Sequence, residues 1–178
     1  EHEVSVITAM QAMEALDKTK YEVIPIYISK QRLFFSSELL RNMETYKNLN
    51  ELVMKVPQVT FIRRDQKVYL EPVKKGLFTK PIAELDVLLP IVHGTNGEDG
   101  TLQGFLEMLK IPYAGCDVMA AAVGQDKAFM KHILQNSNLP VGDWFWLYGH
   151  EFESMKQDVL EKVHSLTYPV VLKPACLG

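Results

Sequence analysis

Apolar residues recur near helical spacing at the start of the chain, at Val4, Ile7, Met10, Ala12, Met13 and Leu16. This spacing predicts an amphipathic helix over residues 4–16, ended where Lys18, Thr19 and Lys20 break the pattern. Residues 21–28 are rich in β-branched side chains, Val23, Ile24, Ile26 and Ile28, so a strand follows. The signal weakens over residues 29–80, where a short helix is predicted around 39–52. Runs at 58–62 and 67–71, separated by Arg63-Arg64-Asp65-Gln66, read as a β-hairpin. Residues 85–92 form a continuous apolar run of strand length, as a strand covered on both faces of a parallel sheet requires.

That run ends in His93-Gly94-Thr95-Asn96-Gly97-Glu98-Asp99-Gly100, after which residues 101–109 have a helical pattern and 111–115 a short strand. Strand, loop and helix in that order make half of a βαβ unit. Beyond Gly115 the expected order is helix (125–135), strand (141–148), helix (152–164) and strand (169–173). A domain boundary falls near residues 116–123, where Ala120, Ala121, Ala122 and Gly124 permit a hinge.

Composition narrows the possibilities. With 178 residues, 47% hydrophobic and 23% charged, the chain buries a real core and is either one generous domain or one domain plus the start of another. A net charge of -3 and a pI near 6.0 argue against nucleic acid as the main partner. The two cysteines, Cys116 and Cys176, have neither metal-ligand nor disulfide-framework spacing, which suggests a reducing cytosol. No run is long and apolar enough to span a bilayer, and an acidic start, Glu1-His2-Glu3, is unlike a signal peptide.

The chemistry concentrates in a few places. The glycine loop lies at the carboxyl end of a predicted strand, where open α/β sheets put ligands. It reads equally as a substrate loop and as a tight turn whose acids cap the next helix. His93 reads either as a donor to a substrate carboxylate or as a histidine bonded to a backbone carbonyl. Lys127 stands in the first turn of a helix, where the macrodipole alone disfavours a cation, and Lys173 closes an apolar strand. Both suit an anion, with solvated surface lysines as the plain alternative. Trp144, Phe145, Trp146 and Tyr148 lack interleaved basic residues and are expected to pack in a core rather than to stack on bases.

Taken in order, these motifs resemble the D-alanine:D-alanine ligase family of the ATP-grasp superfamily. The resemblance rests on Glu1-His2-Glu3-Val4-Ser5, on the run from His93 through Gly100 to Gln103-Gly104, and on Ile111-Pro112-Tyr113-Ala114-Gly115-Cys116. Asp126-Lys127 and the segment from Tyr168 to Lys173-Pro174 complete it. It covers essentially the whole chain, least diagnostically at 29–80, and several ordered motifs are harder to obtain by chance than one glycine loop. The resemblance implies an α/β fold: a pre-ATP-grasp domain with a Rossmann-like parallel sheet over residues 1–118, then the first part of an ATP-grasp domain over 119–178.

It also implies a reaction for peptidoglycan precursor synthesis. One D-alanine carboxylate attacks the γ-phosphate of ATP, and the amine of a second D-alanine attacks the acyl phosphate. Glu1 matches the glutamate that grips the first substrate's ammonium, Val4 lines that pocket, and His93 stands near the carboxylate, with Glu1 and His93 as the catalytic pair. Lys127 and Lys173 match lysines on the ATP phosphates. Mg²⁺ is implied with its ligands outside this chain, along with a homodimer in the cytoplasm and no membrane or nucleic-acid partner. The family's first strand with its Gly-Gly turn is absent upstream, and so is the serine-glycine loop downstream, where Ala175-Cys176-Leu177-Gly178 fits only loosely. The piece is therefore expected to be incomplete and inactive alone. Ligases joining D-alanine to D-lactate or D-serine share these motifs, and a non-catalytic small-molecule-binding α/β domain is the reading from another class.

Overall fold

The computed structural model describes residues 1–76 and 78–176; Leu177 and Gly178, the end of the loosely matching stretch, lie outside it. Two compact units divide the chain, Glu1–His93 with Gln103–Gly115, and Gly94–Leu102 with the residues from Cys116 on.

In the first unit, helix α1 (His2–Ala15) forms where the apolar spacing places it. Its buried residue is Val6, which lies outside the expected apolar stripe, whereas Val4 and Ile7 are about half exposed. Strands β1 (Ile26–Ile28), β2 (Phe34–Ser36), β3 (Gln58–Arg64), β4 (Lys67–Pro72) and β5 (Ala83–Leu85) form one sheet in chain order. The predicted hairpin is β3–β4, with Arg64 opposite Lys67 and Asp65 turning the chain at a φ of 55°.

Every pairing in this sheet is antiparallel, so the Rossmann-like parallel sheet expected from residues 85–92 is not what the described residues build. Parallel neighbours need long crossover connections, whereas a tight turn such as that between β3 and β4 can join only antiparallel strands. Among the described residues, parallel pairing is confined to one bridge, Leu88 with Tyr113. It is closed by Leu88 N–H on the Pro112 carbonyl (2.9 Å) and Ala114 N–H on the Leu88 carbonyl (2.8 Å). Pro90 has no amide to extend that ladder, and Val87 and Leu89 remain about half exposed.

The two faces of the sheet are covered differently. Successive residues of a strand point to opposite faces, so Phe34 and Phe35 part company. Phe35 and Tyr27 join Leu40, Leu52 and Val56 in a core roofed by the connection between β2 and β3. That connection is not the single helix expected over 39–52. It consists of 3-10 turns at Glu38–Arg41 and Met43–Lys47, then helix α2 (Leu49–Lys55). Asn42 and Asn48 break it, because their side chains accept from the amides of Glu44 (3.0 Å) and Glu51 (3.2 Å) and restart the helix each time. On the other face, Phe34, Phe61 and Phe105 meet ring to ring at 5.1–5.7 Å. Phe105 stands on helix α3 (Thr101–Leu109), which forms as the sequence predicts.

The second unit holds helices α4 (Val118–Gln125), α5 (Lys127–Asn136), α6 (Gly149–Ser154) and α7 (Lys156–His164). The small residues read as a hinge lie inside α4, started by the Asp117 carboxylate on the Ala120 amide (2.8 Å). The helix expected over 152–164 is split at Met155, whose φ of -126° is not helical. Neither strand predicted at 141–148 and 169–173 forms, because a strand is held by its ladder and neither segment has a paired neighbour among the described residues. The aromatic run is correspondingly not core: Trp146 and Tyr148 are about half exposed and stack edge-on at 5.1 Å, while Trp144 packs on His132.

Candidate functional site

In the first unit the residues singled out at the two ends of its chemistry meet through Ser5. Glu1 is the N-cap residue of α1, but its side chain makes no cap hydrogen bond, so the carboxylate is exposed and not spent on the helix. Its carbonyl accepts from the Ser5 amide (2.9 Å) and from the Ser5 hydroxyl (3.0 Å). The same hydroxyl oxygen accepts the backbone N–H of His93 at 2.9 Å, across 88 residues of sequence. The main chains of Glu1 and His93 are therefore joined through Ser5, with His93 half-buried, while Val4, next to Ser5 on the same helix, is exposed. His2 anchors the same turn: its Nε2 lies 2.8 Å from the Tyr27 hydroxyl and its ring meets Tyr27 edge-on. Neither Ser5 nor His2 was assigned a role from sequence, since a serine inside a helical pattern carries no signal of a partner so far away.

The glycine loop of the second unit is built by its own acids. Glu98 accepts from the Gly94 amide (2.7 Å); Asp99 accepts from the Asn96 amide (2.7 Å) with one oxygen and from the Thr101 amide (3.0 Å) with the other. Burial pushes the Asp99 carboxyl up, but these amides outweigh it and hold the group below the usual carboxylate range. The turn needs left-handed backbone at Gly94 (φ 86°), Asn96 (φ 69°) and Gly100 (φ 88°). At Gly100 a Cβ would stand 2.7 Å from the Val118 carbonyl oxygen. The acids are thus loop-formers and helix caps, one of the two roles open from the sequence.

Lys127 opens α5 directly after its cap, Asp126, whose Oδ1 accepts from the amides of Ala128 (2.9 Å) and Phe129 (3.0 Å). The Phe129 amide is the main reason the Asp126 carboxyl lies below its ordinary value. The Lys127 amide donates to the Ala175 carbonyl (3.0 Å), and Lys127 Nζ lies 3.5 Å from the same oxygen. This brings the segment carrying Lys173 to the start of α5, although Lys173 itself is exposed on irregular backbone rather than at a strand end. Cys176 donates its thiol to Asp126 Oδ2 at 3.3 Å, which pushes the thiol up. A recess of about 520 Å³ in this unit is lined by Asp99, Ala122, Val123, Asp126, Phe129 and Cys176 among others, and neither Lys127 nor Lys173 lines it.

A five-stranded sheet with helices against it, in which Ser5 joins the main chains of Glu1 and His93, defines a mixed α/β protein. Residues 1–116 match the family described as "D-ala D-ala ligase N-terminus". The chain belongs to that family. It is 39% identical over its full length to a D-alanine–D-alanine ligase of Thermosipho melanesiensis, covering 47% of that protein. Among solved structures it is similar to the D-alanine-D-alanine ligase from Coxiella burnetii, with a TM-score of 0.72, 28% identity, and coverage of 91% of this chain and 46% of that one. It is also similar to the VanG D-Ala:D-Ser ligase from Enterococcus faecalis, with a TM-score of 0.71, 26% identity, and coverage of 99% and 49%. The chain spans about half the length of the curated relatives it matches.

Proposed function

We propose that the protein containing this chain is an ATP-dependent ligase that joins two D-alanines through an acyl phosphate and so supplies a peptidoglycan precursor. The observation that carries this reading is the Ser5-mediated contact of His93 with the α1 turn that holds the unspent Glu1 carboxylate, in a chain of this family. In this arrangement Glu1 binds the ammonium of the first D-alanine, Val4 lines its pocket, and His93 serves its carboxylate, whose oxygen must be aimed at the γ-phosphate. Lys127 and Lys173 are the cations for the ATP phosphates. Their backbone proximity through Ala175 supports the pairing, and phosphoryl transfer depends on such positioning and charge neutralisation.

Residues 1–118 are proposed as the substrate domain and 119–178 as the beginning of the ATP-grasp domain. The parallel bridge of Leu88 with Tyr113 is the proposed seed of a pre-ATP-grasp parallel sheet. ATP brings Mg²⁺, which neutralises phosphate charge when bound. Its ligands are proposed to lie outside this chain, as the family resemblance implies. A cytoplasmic homodimer is the proposed setting; no helix among the described residues is long and apolar enough to cross a membrane.

The similarity to a D-Ala:D-Ser ligase supports a second reading, in which the first substrate is D-alanine and the second D-serine. Phosphate release by the purified full-length protein with ATP, Mg²⁺ and D-alanine, alone and with D-serine or D-lactate, tests both. No release above background with any D-amino acid defeats the ligase reading. Release only with a mixed pair selects the second.

A further inference from the structure

We infer that Ser5 is a positioning residue: its hydroxyl ties the first turn of α1, which carries Glu1, to the backbone of His93 and so sets the spacing of the two groups that hold the first substrate. The inference rests on the ligase reading above for its consequence, but the tie itself is a matter of geometry. A serine inside a helix often donates to the carbonyl four residues back, and Ser5 does so to Glu1 at 3.0 Å. Such a bond leaves the oxygen's lone pairs outside the helix. One of them takes the His93 amide at 2.9 Å, an N–H that the apolar run before it does not use in a ladder. The hydroxyl is thereby both donor and acceptor, and its two partners are the main chains of two residues assigned to one ligand. Moving either one moves the other.

Thr8 returns its hydroxyl to the Val4 carbonyl (2.8 Å), and His2 faces Tyr27. Ser5 touches neither substrate nor nucleotide in this scheme, so its loss acts through placement. A carboxylate and an imidazole that drift apart grip an amino acid less well, while the nucleotide lysines of the second unit are unaffected.

The test uses the full-length protein with Ser5→Ala and Ser5→Thr, since threonine keeps the hydroxyl. Hydrogen exchange of the peptide covering residues 91–96 reads the tie directly, and steady-state kinetics read its consequence. Ser5→Ala is expected to speed exchange at the His93 amide about tenfold. It is expected to raise KM for the first D-alanine by about tenfold with KM for ATP unchanged, the loss of one hydrogen bond's worth of positioning. Ser5→Thr is expected to restore both. Unchanged exchange in Ser5→Ala overturns the tie whatever the activity, and lost protection with an unchanged D-alanine KM overturns the positioning role. A wild-type protein that releases no phosphate overturns the ligase reading and the positioning role together, and is told apart because the exchange difference is measured without turnover.

Discussion

Replacing Gly100 by alanine tests whether the glycine loop is as tightly built as its geometry implies. Gly100 has a φ of 88°, and a Cβ there would meet the Val118 carbonyl oxygen at 2.7 Å and the Val118 Cγ1 at 3.4 Å. Two costs add. Left-handed backbone costs a residue with a Cβ about 1–2 kcal/mol, and pushing a main-chain oxygen aside costs about 1–3 kcal/mol, as overpacking does. Gly100→Ala should therefore destabilise the second unit by roughly 2–5 kcal/mol. Gly124→Ala is the matched control. Gly124 lies inside α4 in the same unit with nothing within 4 Å of the position a Cβ would take. There the added methyl only removes backbone freedom from the unfolded chain, so a gain of about 0.5–1 kcal/mol is expected. Urea unfolding of the full-length protein, read by hydrogen exchange in α4 and α5, measures both. A Gly100→Ala protein within about 0.5 kcal/mol of wild type, where ordinary surface changes fall, would refute the close approach to Val118.

Three further outcomes follow from particular contacts. Asp126→Ala removes the two amide bonds that cap α5 and should cost about 1 kcal/mol, while Asp126→Asn keeps the cap and should cost little; thermal unfolding separates them. Because the Asp126 carboxyl is held below its ordinary 3.8, its contribution is complete above that value and fades as pH falls through the depressed one. The wild-type advantage over Asp126→Ala should therefore shrink in acid, and an advantage constant down to pH 2 contradicts it. Glu71 is buried between Arg64 and Lys75, the latter 2.7 Å away, and Glu71→Gln should lower the unfolding midpoint at neutral pH but not in strong acid. Lys127→Ala and Lys173→Ala should each weaken ATP binding about 10-fold to 100-fold, the worth of a charge-assisted bond to phosphate, in a nucleotide titration; unchanged affinity in both removes them from the nucleotide site.

Local signals were legible wherever the residues that decide an element lie inside it. Helices α1 and α3 and the β3–β4 hairpin form where periodicity and turn residues put them. The failures share a cause, which is that strand identity depends on a neighbour the run itself does not contain. Residues 85–92, 141–148 and 169–173 all have strand composition, yet among their described residues only Leu85, at the end of β5, and Leu88 find a pairing partner. Propensity for extended backbone is a statement about fitting a sheet. Where nothing lies alongside, the same residues leave apolar surface in solvent, as Val171 and Leu172 do at 76% and 96% exposure. The broken helix at 39–52 fails for the opposite reason: the deciding residues, Asn42 and Asn48, were inside the window, but capping outcompeted the helical pattern.

The site was legible as residue types and not as connections. Two lysines stood out because cations in those places suit an anion, whereas Glu1 was reached only through the family resemblance and His93 gained its role from it. The bond that brings Glu1 and His93 into one locality runs through a serine that looks, in sequence, like any other small polar helix residue. The acids of the glycine loop show the converse. Glu98 and Asp99 attracted notice as an acidic pair at the start of the next helix, and each satisfies main-chain amides within its own turn. Charge placement in a sequence therefore finds groups that need a reason to be where they are, while the reason, a substrate or a backbone amide, is decided by which partner the fold delivers first. Here the fold delivers amides to Asp99 and Asp126 and delivers none to the carboxylate of Glu1 as a helix cap, a difference in keeping with the proposed role of Glu1 toward an ammonium.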